Sequence, residues 1–332
     1  MRLGMYDNIV IRLEEGDLPV GYDWHSVLSK SSQRLFYTTG NGVKGVWRAG
    51  WVTARNGYIE FRGSIPKCLY GHNCNVKPVT LSEVRELVEE MSADFSVPMS
   101  CAEVTHLEFS TNFIVSHSPE AYINAVRGET GFDDWNIRGT KYIEREGLVR
   151  LKFYDKLKEA RSKKELPNPC PLYSNLLRYE MTLYHRKLRQ MFGRLRCADL
   201  WDKSIYWRLV SEWLYHFECL QFSMVYDADF RQFRNVTGFE DWAICALDAE
   251  YGLINFVKSL FDTRSDPKPN DRIFHHKLKK RIDMAKARCA GRQKYPELIA
   301  ELKNSVYSYL SWLYEDSPDR MSDADERAKT GS

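Results

Sequence analysis

Apolar and polar positions alternate along the first half of the chain and change to a helical period in the second. Tyr6 to Leu13 alternates as a strand, and Arg34 to Thr38, Gly45 to Thr53 and Tyr58 to Arg62 read as further strands, punctuated by Gly40-Asn41-Gly42 and Asn56-Gly57. The chain therefore opens as a β-meander. Thr80 with Glu83 forms a capping box ahead of Val84, Leu87, Val88 and Met91, so the spacing predicts an amphipathic helix over Leu81 to Phe95 whose apolar face covers the sheet. Glu103 to Val115 follows as a strand with Leu107 and Phe109 on one side and His106 and Glu108 on the other, and Pro119 to Val126 as a helix. Val149 to Tyr154 and Asn175 to Tyr184 alternate again. The first sets Arg150, Lys152 and Tyr154 opposite Val149, Leu151 and Phe153, and the second sets Arg178, Glu180 and Thr182 opposite Leu177, Tyr179, Met181 and Leu183.

After about residue 186 the period becomes 3.6. Ser204 to Phe222 is rich in Trp and Tyr, Phe239 to Thr263 reads as helical, Ser265 to Asn270 with two prolines reads as a linker, and helices follow over about 271 to 289 and 296 to 314. The order of elements implies an α+β domain on an antiparallel sheet over residues 1 to 195, then a helical domain over 196 to 316. The polar segment from Ser317 to Ser332 reads as a disordered tail.

Composition narrows the class. With 332 residues, 43% hydrophobic and 28% charged, the chain has the balance of a folded protein with a sizeable core. No apolar run reaches the eighteen or so residues of a membrane span, and Arg2, Asp7 and Arg12 interrupt any apolar leader, so a cytoplasmic protein with no membrane partner is expected. Eight cysteines without a C-x-x-C pair suggest neither a zinc knuckle nor a disulfide framework. The formal charge is only +3, yet nine Lys or Arg face two Asp between Asp271 and Lys294, so the basic character is local.

Three strands put polar groups on one face: His106 and Glu108, then Arg150, Lys152 and Tyr154, then Arg178 and Glu180. Carboxylate and imidazole ligands can hold a divalent ion as a Lewis acid on a phosphate oxygen, and a nearby tyrosine hydroxyl can attack phosphorus to form a covalent intermediate. Lysine and arginine would steady the phosphate. A half-buried sheet also turns such a polar face to water, so alternation alone leaves both readings open.

Four blocks in order favour the first reading: "EFRGSIPKCLYGHN" at Glu60 to Asn73, "VTHLEFSTNFIV" at Val104 to Val115, "LKFYDKLKEA" at Leu151 to Ala160 and "LLRYEMTL" at Leu176 to Leu183. In sequence and spacing this set resembles the filamentous-phage gene II (II/X) family of phage and plasmid replication initiators, over roughly Tyr58 to Leu200. The resemblance implies a rolling-circle endonuclease. Such an enzyme nicks one strand at an origin, stays attached to the 5′ end through phosphotyrosine and leaves a 3′ hydroxyl as primer. Carried over by position, Tyr154 is the nucleophile, with Lys156 beside it in Y-D-K. Glu108 stands where the family strand commonly has an aspartate, with His106 in place of an arginine two residues earlier. Glu180 matches the carboxylate after Arg-aromatic. Mg²⁺ or Mn²⁺ is the implied cofactor, with Glu108, Glu180 and His106 as candidate ligands. Other initiators of this mechanistic class use a His-hydrophobic-His pair, of which His106-Leu107-Glu108 would be a variant, unless His106 is a solvent-facing histidine of the outer face.

His72 and Asn73, after Gly71, would touch phosphate or metal or else form a structural turn. Arg150, Lys152, Arg178, Lys280 and Arg281 are candidate DNA contacts, giving affinity without reading sequence. The aromatic helix around Tyr206, Trp207, Trp213, Tyr215 and Phe217 fits core packing better than base stacking. The expected partners are single-stranded or supercoiled origin DNA, with a host helicase and polymerase. A mobilisation relaxase with the same chemistry and a non-catalytic DNA-binding regulator on the same fold are the alternatives.

Overall fold

The alternating segments of the first half pair into one sheet. A computed structural model describes residues 5–18, 20–21, 36–37, 42–55, 57–71, 78–165, 175–223, 225–226, 235–253, 269–289, 293–294 and 297–315. Its strands in chain order are β1 (Tyr6–Glu14), β2 (Phe36–Tyr37), β3 (Gly42–Trp47), β4 (Gly50–Arg55), β5 (Tyr58–Ser64), β6 (Glu103–Ile114), β7 (Val126–Glu129), β8 (Asp133–Ile137), β9 (Thr140–Arg145), β10 (Val149–Asp155), β11 (Leu176–Tyr184), β12 (Leu220–Phe222), β13 (Val225–Tyr226) and β14 (Gln293–Lys294). Ten of them form a sheet in the order β2-β3-β4-β5-β1-β6-β11-β10-β9-β8. Every neighbouring pair is antiparallel. The helices are α1 (Ile65–Tyr70), α2 (Leu81–Phe95), α3 (Pro119–Ala125), α4 (Lys156–Ser162), α5 (His185–Phe192), α6 (Lys203–Glu218), α7 (Val236–Tyr251), α8 (Pro269–Cys289) and α9 (Glu297–Glu315). The protein is thus mixed α+β on a large antiparallel sheet.

Local sequence accounts for the element boundaries. Thr80 Oγ1 accepts from the Glu83 amide at 3.1 Å and the Glu83 carboxylate accepts from the Thr80 amide at 2.8 Å, which closes the capping box of α2. The stretch Gly45 to Thr53, expected as one strand, is instead a hairpin of β3 and β4 around Arg48-Ala49. Arg48 adopts φ +51°, and its guanidinium bonds Glu90 and the Cys68 carbonyl, so a long cation fills a turn position usually marked by glycine or asparagine. Gly50 and Gly63 pair across β4 and β5 beneath the Phe61 ring, where a Cβ would fall 2.2 and 2.6 Å from its carbons. The β8–β9 hairpin, turning at Arg138-Gly139 with φ +52° and +80°, belongs to a stretch for which the pattern gave no element.

One face of the sheet is apolar. Tyr6, Phe109 and Tyr179 on β1, β6 and β11 meet Tyr206 and Trp213 of α6, with ring centroids 4.8 to 5.7 Å apart, and Phe153 of β10 stacks on Tyr179. Tyr206, Trp207, Trp213 and Phe217 are buried core, as their helical spacing predicted, and Tyr215 is exposed.

Contacts divide the chain into two compact units, one of Met1–Asn124, Gly128–Leu220 and Leu302–Ser332, the other of Ala125–Arg127 and Gln221–Glu301. Residues 196–220 and 302–315 therefore go with the sheet, beyond the boundary expected at 195. Aromatic packing explains it: Tyr309 meets Phe113 at 6.4 Å and Tyr314 stacks on Trp207 at 4.5 Å. In the second unit Cys245 of α7 packs with Ala285 and Cys289 of α8. Residues 265–268 of the expected linker, and the expected tail, lie outside the described residues, whereas Pro269 and Asn270 begin α8. Among the described residues no helix is long and apolar enough to cross a membrane.

Candidate metal and nucleophile site

On the opposite face of the sheet, four adjacent strands bring charged side chains together. Registry alone sets much of the arrangement: Lys152 of β10 lies across from Glu180 of β11, Tyr154 from Arg178, and Thr182 of β11 from Glu108 of β6. The register between β1 and β6 slips by one residue between Tyr6 and Ile9. Such a bulge re-aims side chains, and here Tyr6 stays with the apolar core while both Asp7 and Asn8 line the cavity over the polar face.

Asp7, Glu108 and Glu180 form a buried cluster in which one carboxylate oxygen from each lies within 4.8 Å of the others. Every one of their oxygens already accepts a neighbour. Ser64 Oγ donates to Asp7 Oδ1 at 3.0 Å and Arg178 to Asp7 Oδ2. Lys152 Nζ donates to Glu108 Oε1 at 3.2 Å and to Glu180 Oε1, Asn8 donates to Glu108 Oε2, and the Tyr154 hydroxyl donates to Glu180 Oε2 at 3.1 Å. A carboxylate has about four lone-pair sites, so the cluster keeps acceptor capacity. Three carboxylates are a donor set that suits a hard divalent cation, so the cluster could hold a metal ion.

The electrostatics follow from burial and charge. Burial would raise Glu108, but His106, Lys152 and Asn8 hold its carboxyl well below the ordinary range. Burial and the charge of Glu108 raise Glu180 instead. Two like charges cannot both ionise freely at this spacing, so Glu180 holds its proton more tightly. Burial, then the Glu180 charge, also push the Tyr154 hydroxyl well up. Burial would lower Lys152, yet Glu180 and Glu108 keep it cationic.

The expected residues distribute as follows. Tyr154, Glu108, Glu180 and Lys152 converge on a cavity of about 440 Å³. Lys156 does not line it. The Asp155 carboxylate caps α4 by accepting from the Lys158 amide at 2.9 Å, which leaves Lys156 in the first turn, 1% exposed, bonded to Glu159 at 2.7 Å. Burial and the nearby Arg178 charge lower its pKa. His106 approaches Glu108 at 3.7 Å but stands outside the three-carboxylate cluster, its ring edge-on to Tyr184. Arg150 is engaged with Glu144 at 2.8 Å. Arg178 is 2% exposed and bonds Asp7, Ser110 and Asn112, so it braces the site from below instead of facing DNA. Lys280 is exposed on α8, while Arg281 pairs with the buried Asp241 of α7. His72 and Asn73 lie outside the described residues. Asp7, Asn8 and Ser64 are the members that alternation missed. Ser64 sits within the first of the four blocks and caps α1.

No family model matches the chain, and no curated protein is significantly similar to it in sequence.

Proposed function

We propose that the protein is a metal-assisted single-strand DNA endonuclease of the rolling-circle initiator kind, with Tyr154 as its nucleophile. One observation carries the reading: the Tyr154 hydroxyl donates to Glu180 inside a cavity floored by three buried carboxylates and a lysine. A raised tyrosine pKa means that the hydroxyl must lose its proton as it attacks. Glu180, itself raised and 3.1 Å away, is the base in place to take it. The Tyr154 oxygen then bonds to phosphorus as the bond to the 3′ oxygen breaks, and the departing oxygen takes up a proton to become the 3′ hydroxyl. The 5′ phosphate remains on the tyrosine. Lys152, at the rim of the carboxylates, is the cation placed to offset charge on the phosphate. A divalent cation held by Asp7, Glu108 and Glu180 would supply Lewis acidity toward a phosphate oxygen. The four sequence blocks add origin nicking for replication, with helicase and polymerase as onward partners; mobilisation would use the same chemistry.

Nicking of supercoiled plasmid carrying the cognate origin, with Mg²⁺ or Mn²⁺, tests the proposal. Wild type should yield open circles, Tyr154→Phe none, and Glu108→Gln or Glu180→Gln roughly 10-fold less or below, partly restored by added metal. Equal nicking by Tyr154→Phe would remove the tyrosine from the mechanism.

A further inference from the structure

The cavity above the carboxylates also has an aromatic wall. Trp51 of β4 lines it and is 47% exposed, although its ring is the kind of surface a fold ordinarily covers. The Lys44 ammonium lies 4.9 Å from the centre of that ring. Arg62, directly across from Trp51 on β5, is exposed and lines the same cavity. From β9, Tyr142 lines it as well. Its ring stacks on Trp135 of β8, with centroids 5.6 Å apart and planes 8° apart. Both rings are held by their strands, so a flat ligand would lose little affinity to ordering them.

An aromatic ring with an ammonium over one face and a guanidinium beside it matches one chemistry closely. An unpaired nucleobase stacks on the ring while its phosphate meets the cation, and every base offers a π-face. An apolar peptide would leave Lys44 and Arg62 without complementary charge. We infer that Trp51, flanked by Lys44 and Arg62, and the Tyr142–Trp135 stack form a base-stacking subsite. It holds nucleotides of an unpaired strand next to the phosphate offered to Tyr154. The inference rests on the nicking reading for the identity of that phosphate, but the subsite is tested by binding alone.

The test is a fluorescence-anisotropy titration in EDTA, using a labelled unstructured oligodeoxynucleotide and a strand of equal length in which abasic residues replace several nucleotides. Wild type should bind the intact strand roughly 5- to 100-fold more tightly than the abasic one. Trp51→Ala should lose about 5-fold or more on the intact strand and nothing on the abasic strand, while Trp51→Phe keeps most of the affinity. Equal loss on both strands, no loss on either, or a wild type that does not distinguish them would overturn the subsite. Adduct formation, read separately from binding, distinguishes the two ideas. If Trp51→Ala behaves as stated but no tyrosine adduct ever forms, the nicking reading fails alone. If the adduct forms and Trp51→Ala binds like wild type, the subsite fails alone.

Discussion

Arg178 ties three strands together beneath the site, from β11 to Asp7 of β1 and to Ser110 and Asn112 of β6. Removing one partner of a buried ion pair leaves the other charge uncompensated, at a cost of about 3–5 kcal/mol. Arg178→Met should therefore lower unfolding stability by that order in urea titrations. A variant of unchanged stability with weakened DNA binding would return the residue to the DNA surface. The same burial marks what could be read in the sequence. Charged residues are seldom fully buried unless paired, so a solvated outer face was an open reading for Glu108 and Glu180, and the sheet buries both. Tyr154, Lys152, Glu108 and Glu180 were legible because residues of like parity on paired strands share a face. Asp7 and Asn8 were not, because a bulge breaks parity and an Asp-Asn pair in an alternating strand carries no mark of one. Lys156, carried over with the tyrosine by position, turned under the helix that Asp155 caps.

At the scale of elements, His216 of α6 acts as a clamp. Its Nδ1 lies 2.9 Å from Glu129 at the end of β7 and its Nε2 3.2 Å from Glu212, which Lys187 of α5 also holds, with Phe132 and Tyr215 packed edge-on to the ring. Burial would lower the imidazole pKa, but the two glutamates raise it above the ordinary histidine value. Its contribution is then fully present below the unfolded value of about 6.5 and is lost as pH rises through the raised folded value. The stability gap between wild type and His216→Gln should reach about 1.5–3 kcal/mol near pH 6 and shrink at higher pH. A gap that widens with pH would contradict the clamp. The helix α2 was legible to its first residue because a capping box is a local signal, whereas the β8–β9 hairpin turns on Arg-Gly and the β3–β4 hairpin on Arg-Ala. Neither dipeptide announces a turn as Asn-Gly does.

At the scale of the whole molecule, the basic helix α8 is divided in its duties. Arg281 and Arg288 neutralise the buried Asp241, and Lys286 pairs with Asp248, while Lys280 is exposed. Arg281→Glu should therefore destabilise the second unit, whereas Lys280→Glu should leave stability unchanged and reduce the salt slope of DNA binding by about one unit if it meets a phosphate. Thermal melts beside salt titrations separate the two. The helical period could show the charges but not their partners, which lie some forty residues away on α7. The boundary between units was equally hidden, since it depends on Tyr309 and Tyr314 packing against Phe113 and Trp207 from the far end of the chain. The proposed activity rests on Tyr154, and the most direct measurement is mass spectrometry of the protein after incubation with Mn²⁺ and a single-stranded origin oligonucleotide. A peptide containing Tyr154 should carry a nucleotide adduct, absent when Tyr154 is phenylalanine. Cleaved oligonucleotide with no adduct on any tyrosine, or an adduct that persists in Tyr154→Phe, would contradict it.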